Sequence, residues 1–251
     1  MNKYILKFET ASLLKNYATI FFGTLFPMLL CSLIIISVKK QVPKEMLDQV
    51  EQSIMLNLSI ISPLSIFFIG LSSVFAKDLE EGVYDRLELF SINHLTMARY
   101  KFFVNYIFWF ICNAIYFAFI LNMFDLNLSF ISLVKHFAFV SLLSLALFLL
   151  SYAICLFTKK FSISFAATML MYFGILILSG MMGIMVEDLP AKIKTFAKLL
   201  PTSHFSSTEY LDEIAKGGSL NYSFLQSLIV FLLISFILFA ISVYKNKRKN
   251  S

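Results

Sequence analysis

Seven of the fourteen side chains in Lys77-Asp78-Leu79-Glu80-Glu81-Gly82-Val83-Tyr84-Asp85-Arg86-Leu87-Glu88-Leu89-Phe90 carry charge, in a chain that is only 14% charged overall. The chemistry this mixture allows is recognition. Acids with an arginine make polar contacts to another protein, and no neighbouring histidine, cysteine or serine is set up for catalysis. If the chain turns helical after Gly82, Val83, Leu87 and Phe90 fall on one face at i, i+4 and i+7, while Asp85 and Glu88 point elsewhere. Acidic residues early in such a helix suit its dipole. The same pattern fits a plain surface helix capping a bundle. A second polar set, Asn105, Asn113 and Asn122, recurs at intervals of eight and nine. It reads as one polar stripe, either lining a pathway or bonding neighbouring helices.

Other reactive side chains are dispersed. His94, His136 and His204 occupy three segments without clustered carboxylates, and Cys31, Cys112 and Cys155 lack metal-ligand spacing and read as buried thiols. There is no GxxxxGK[ST] loop, Ser-His-Asp set, HExxH or pair of intramembrane carboxylates. The sequence therefore argues against an ATP site, hydrolytic catalysis or a metal in this chain.

The elements that position these residues are apolar. Hydrophobic residues make up 59% of the 251 positions, and mean hydropathy is +0.81, against roughly half apolar for a soluble domain. Six runs, Tyr17–Val38, Ile54–Ala76, Phe102–Phe124, His136–Phe157, Ile163–Met185 and Tyr222–Tyr244, have no ionisable residue in their middle and are each long enough to cross a bilayer as a helix. They are continuously apolar, not alternating, which excludes barrel strands. The first run carries Pro27 at mid-depth and no small-x-small cleavage site, so it is a retained span. Charges near a bilayer centre usually mark ion binding or proton relay; without them, the driving energy is expected to come from outside the lipid-embedded part.

Loop charge sets the orientation. Lys3, Lys7, Lys15, Lys77, Arg86, Arg99, Lys101, Lys159, Lys160, Lys245, Lys247, Arg248 and Lys249 lie on one side, thirteen against the eight (Lys39, Lys40, Lys44, Lys135, Lys192, Lys194, Lys198 and Lys216) on the other. By the positive-inside rule both termini are cytoplasmic, in the cell membrane. The net charge of +6 is spread over membrane-flanking segments and suits anionic lipid, not nucleic acid.

Three further features complete a single transmembrane domain over 1–251. Residues 1–16 read as an amphipathic interface helix with Tyr4, Phe8 and Leu14 among lysines. In the external segment 186–221, Leu189, Ile193, Phe196 and Leu200 recur at helical spacing between Pro190 and Pro201. A second candidate helix follows from Thr208 to Lys216, stopped by Gly217-Gly218. The two could lie on the outer leaflet or dip back into it. Gly174, Ser179, Gly180 and Gly183 make the fifth run the candidate for tight helix packing.

Taken in order, these features resemble a known family. Glu80-Glu81-Gly82-Val83-Tyr84-Asp85-Arg86-Leu87, followed by Lys101 before the third run, resembles the coupling-helix signature of ABC-2 type transporter permeases. Phe26-Pro27, the N-terminal amphipathic helix and Leu199-Leu200-Pro201 are similar to that family too. One departure is Ser91-Ile92-Asn93-His94, where the family often has proline. The resemblance implies an all-α, type V exporter domain of six transmembrane helices that pairs with a second permease subunit, as a homodimer, and docks two ABC ATPase subunits. It places ATP and Mg on those partners and no cofactor in this chain. It makes residues 77–101 the coupling loop, with Glu80, Glu81, Asp85 and Arg86 in polar contact and Val83, Leu87 and Phe90 seating the helix. In size and composition the chain resembles a membrane subunit of the staphylococcal exporter of phenol-soluble modulins, which implies export of an amphipathic peptide. The alternatives are a lipid or polymer flippase, a drug or antimicrobial-peptide efflux permease, an ATP-independent carrier or channel, or a non-transporting scaffold or immunity protein.

Overall fold

Every residue from Leu58 to Ser72 is buried; the stretch has no charged residue, and its polar side chains, Ser59, Ser62, Ser65 and Ser72, are small. A helix with no charged face belongs at the centre of its bundle. The computed structural model describes residues 3–90, 92, 94–182, 186–205, 207, 210, 212–214 and 222–249. Among these there is no strand. After α1 (Lys3–Leu14) come six membrane spans: α2 (Tyr17–Val38), α3 (Lys44–Glu80), α5 (Leu95–Phe124), α6 (Phe130–Thr158), α7 (Phe161–Leu178) and α10 (Tyr222–Asn246). The short helices α4 (Val83–Glu88), α8 (Ala191–Lys198) and α9 (Pro201–His204) connect them. Centrally placed α3 packs on α6, α7 and α2, and α10 lies along α6.

The six expected spans are present, with shifted bounds. The second continues back to Lys44 as an amphipathic lead, whose Glu51 pairs with Lys39 at 3.6 Å. The fifth stops at Leu178, not Met185, because Gly180 takes the left-handed conformation (φ 75°) that ends helices. Residues Gly183 to Met185 lie outside the described set.

Close packing at glycine falls on Gly23 and Gly70, and not on Gly174 of the fifth run. A Cβ on Gly174 would meet nothing within 4 Å, whereas one on Gly23 would sit 2.8 Å from Ile66 and one on Gly70 2.5 Å from Thr19. Both close-packed glycines lie in π-helical segments, Phe21–Leu25 in α2 and Ser65–Leu71 in α3. Such wide turns displace the backbone laterally and frequently occur at functional sites. Here they bring the two spans into contact. Asn16, at the start of α2, donates through Nδ2 to Gly70 O (3.3 Å) and Ser73 Oγ (2.9 Å), tying them at one end.

The bundle has two differently built ends. One holds α1, α4 and the α6–α7 turn; the other holds the α2–α3 and α5–α6 turns and the segment from Val186 to Ile214. At the second end, α8 begins after Pro190 as expected, but Pro201 opens α9 instead of terminating α8. Pro201, Thr202, Ser203 and Phe205 are buried, so this segment inserts into the bundle end. Most of the candidate helix Thr208–Lys216 lies outside the described residues; Tyr210 and Ile214 within it are buried. All three cysteines are free and buried.

Candidate functional site

Helix α4 starts because Gly82 adopts φ 67°, a left-handed turn that reverses the chain after α3 and is open to glycine without strain. Arg86 stabilises the turn from above, donating through Nη2 to Glu81 O (3.1 Å) and through Nε to Gly82 O (3.3 Å). These carbonyls end α3, where a cation is favoured by the dipole. Glu81 pairs with Lys77 at the surface, and Asp85 is exposed. Glu80 is exposed too, but its Oε2 accepts the Phe161 N–H at 2.8 Å, capping the first turn of α7. Of the four residues expected to make external polar contacts, Glu80, Glu81 and Arg86 thus have intramolecular partners.

The seat of α4 differs from the expected one. Val83 and Leu87 pack against the core, but the helix ends at Glu88 and Phe90 is 77% exposed, as is Leu89 at 83%. The i+7 position reaches the same face only if the helix lasts that long, and it does not. Tyr84, 3% exposed, is the anchor. Its ring meets Phe75 edge-on at 5.1 Å, and Phe75 stacks on Tyr152 at 4.2 Å, linking α4 through α3 to α6. Burial holds the Tyr84 hydroxyl well above its ordinary pKa, so it stays protonated.

Above these rings sits Lys101, 5.6 Å from the Phe75 centroid and 5.8 Å from that of Tyr84. It is almost fully buried near the start of α5 and donates through Nζ to Glu9 Oε2 (2.9 Å) and Asp78 Oδ2 (3.3 Å). One ammonium thereby joins α1, α3 and α5 directly beside the α4 anchor. Burial pushes the Glu9 carboxyl up in pKa, with Lys101 opposing. Lys101 had a signal in sequence; Glu9 had a weaker one. It is the only acid before Glu45 and shares a helical face with Ile5 and Leu13, the side of α1 that docks on α5, while Tyr4, Phe8 and Leu14 face outward.

The asparagines do not form one stripe. Eight residues overshoot whole helical turns by about 80° and nine by about 180°. Asn105 is buried and donates to Lys101 O (2.8 Å), Asn113 is buried and donates across to Ser59 O (3.3 Å), and Asn122 lies on the exposed face, bonded to Ala118 O. Only Asn113 bridges helices.

At the opposite end a buried polar cluster centres on His136. Ser59 Oγ lies 2.8 Å from Nε2 and Tyr210 OH 2.8 Å from Nδ1. Ser59 donates its proton to Leu56 O (2.7 Å), so Nε2–H must be the donor to it and Nδ1 the acceptor from Tyr210. Ser132 Oγ donates to Ile214 O and Ser179 Oγ to Thr202 Oγ1 nearby. No group of three metal-ligating side chains occurs among the described residues.

The sequence model of one family, described as ABC-2 type transporter, matches residues 2–208, that is, everything up to the segment before the last span. No curated protein and no solved structure matches the chain.

Proposed function

This chain belongs to the ABC-2 type transporter family, making it the multi-pass membrane component of an ABC transporter, and from that premise we propose that it is an exporter permease driven through α4 by a separate ATPase. Two copies of the chain would form the pathway, with both termini in the cytoplasm, and two ATPase subunits would dock on the paired α4 helices and supply ATP and Mg. The cargo is an amphipathic peptide of the phenol-soluble modulin type or another largely apolar molecule, since the spans offer mainly apolar surface to it.

One observation carries this reading. Helix α4 is anchored on its inner side by Tyr84, and the chain just past its end presents Leu89 and Phe90 outward at the charge-rich end of the bundle. Apolar side chains left exposed beside acids and outside the apolar spans are the pattern of a contact surface, with aromatic anchors and a polar rim. A push on Asp85, Leu89 and Phe90 would pass by Tyr84 to Phe75 and Tyr152, and so to α3 and α6.

The test is co-purification with an ABC ATPase followed by transport in proteoliposomes. Phe90→Asp should leave the fold intact and abolish association, whereas Tyr84→Ala should retain association but lose transport per ATP hydrolysed. ATP-independent transport by the chain alone would overturn the proposal.

A further inference from the structure

Two buried polar atoms beside the Lys101 cluster lack a partner: Glu9 Oε1 and Thr19 Oγ1, on residues 3% and 1% exposed. Both residues line the same narrow cavity, together with Asn16, Gly70, Lys101 and Asn105. Its free volume is about 10 Å³, room for one water-sized group. The cavity lies where Thr19 packs against Gly70, beside the Asn16 hydrogen bonds to Gly70 O and Ser73 Oγ. Both atoms can accept a hydrogen bond, so the cavity offers an incoming N–H group two open acceptors.

A wider cleft adjoins this cavity. A cleft of about 420 Å³ shares Ser12, Asn16 and Val74 with it and is flanked at its mouth by Lys15, Lys77, Asp78 and Glu81. The joined cleft is lined by three acids and three lysines, so its charges balance. That balance disfavours a ligand of large net charge and matches one that carries both signs. The cleft opens under α1, whose outward Tyr4, Phe8 and Leu14 place that helix at the lipid surface. The mouth therefore lies at headgroup level.

We infer that this cleft binds a zwitterionic phospholipid headgroup, with its primary ammonium in the narrow cavity against Glu9 Oε1 and Thr19 Oγ1 and its phosphate between Lys15 and Lys77. The ammonium supplies that N–H donor and a second cation for Glu9. The phosphate gives Lys15 an anion and Lys77 a second one beside Glu81, while Asp78 is committed to Lys101. A quaternary headgroup fails on both counts, because it has no N–H and is larger than the cavity. The inference is independent of the cargo and of the ATPase.

The full chain is reconstituted into nanodiscs of equal parts phosphatidylethanolamine, phosphatidylcholine and phosphatidylglycerol, released into mild detergent, and read by native mass spectrometry. Phosphatidylethanolamine should be retained about tenfold over the other two, the effect of one charge-assisted hydrogen bond. Glu9→Gln should erase the preference. Because that variant also disturbs Lys101, Thr19→Val serves as the second probe; it keeps both γ atoms packed on Gly70, leaves the ion cluster whole, and should still cut the preference severalfold. Lys15→Gln with Lys77→Gln should lower retention of phosphatidylethanolamine as well. Equal retention of phosphatidylethanolamine and phosphatidylcholine would mean that the cavity holds only water and would overturn the inference. So would stronger retention of phosphatidylglycerol, or a preference unchanged in Thr19→Val.

Discussion

The two ends of the bundle are fastened by different chemistry. Around Lys101, segments distant in sequence meet through full charges, Glu9 from α1 and Asp78 from α3 converging on one ammonium. Around His136, the fastening is neutral: a serine hydroxyl, an imidazole and a phenol in a chain of hydrogen bonds. A buried ion cluster is costly to break, since losing one partner leaves uncompensated charge. A neutral cluster loses less, roughly the desolvation of the orphaned groups. The end beside α4 is thus the costlier of the two to open.

Substitutions can break or sharpen that contrast. Lys101→Met is expected to have the largest effect, a loss of about 3–5 kcal/mol as two buried carboxylates lose their cation, read as a drop in thermal unfolding temperature in detergent. Adding Glu9→Gln and Asp78→Asn to it should recover much of the loss; no recovery would mean that charge is not what holds this end. Tyr84→Ala comes next, at about 3 kcal/mol for removing a buried ring, with faster hydrogen exchange confined to α4. Phe90→Ala, on the exposed side, is its control and should leave the exchange of α4 unchanged.

At the neutral end, His136→Leu is expected to lose about 1–3 kcal/mol, because the Ser59 and Tyr210 hydroxyls are left behind. A loss equal to that of Lys101→Met would erase the distinction between the ends. Gly70→Ala should cost about 1–3 kcal/mol by forcing its Cβ onto Thr19, whereas Gly174→Ala, with open space beside it, should stay within about 0.5 kcal/mol. Both are measured by thermal unfolding.

Much of this architecture was legible in the order of residues, and the misses have physical causes. The six spans follow from uninterrupted apolar runs. The acidic hairpin was visible because charges are rare elsewhere, and the start of α4 because glycine follows two glutamates. Phe90 leaves the Val83–Leu87 face because face periodicity holds only within a helix, and α4 ends two residues earlier. The asparagines share no face because spacings of eight and nine do not return to one, and Gly174 has open space beside it because small residues permit close approach without compelling it. Glu9 gives little signal in sequence because it stands alone among lysines on a surface helix, with its partner ninety-two positions away.

Hydropathy by itself determined that the chain spans a membrane with six helices and carries a charged segment between the second and third, because the bilayer rewards or rejects residues one segment at a time. Which glycines touch, which acid meets Lys101, and that Tyr84 anchors α4 were decided only by the packed bundle. Those outcomes depend on how neighbouring helices are set against one another, through the paired π turns of α2 and α3, and no single segment carries that information.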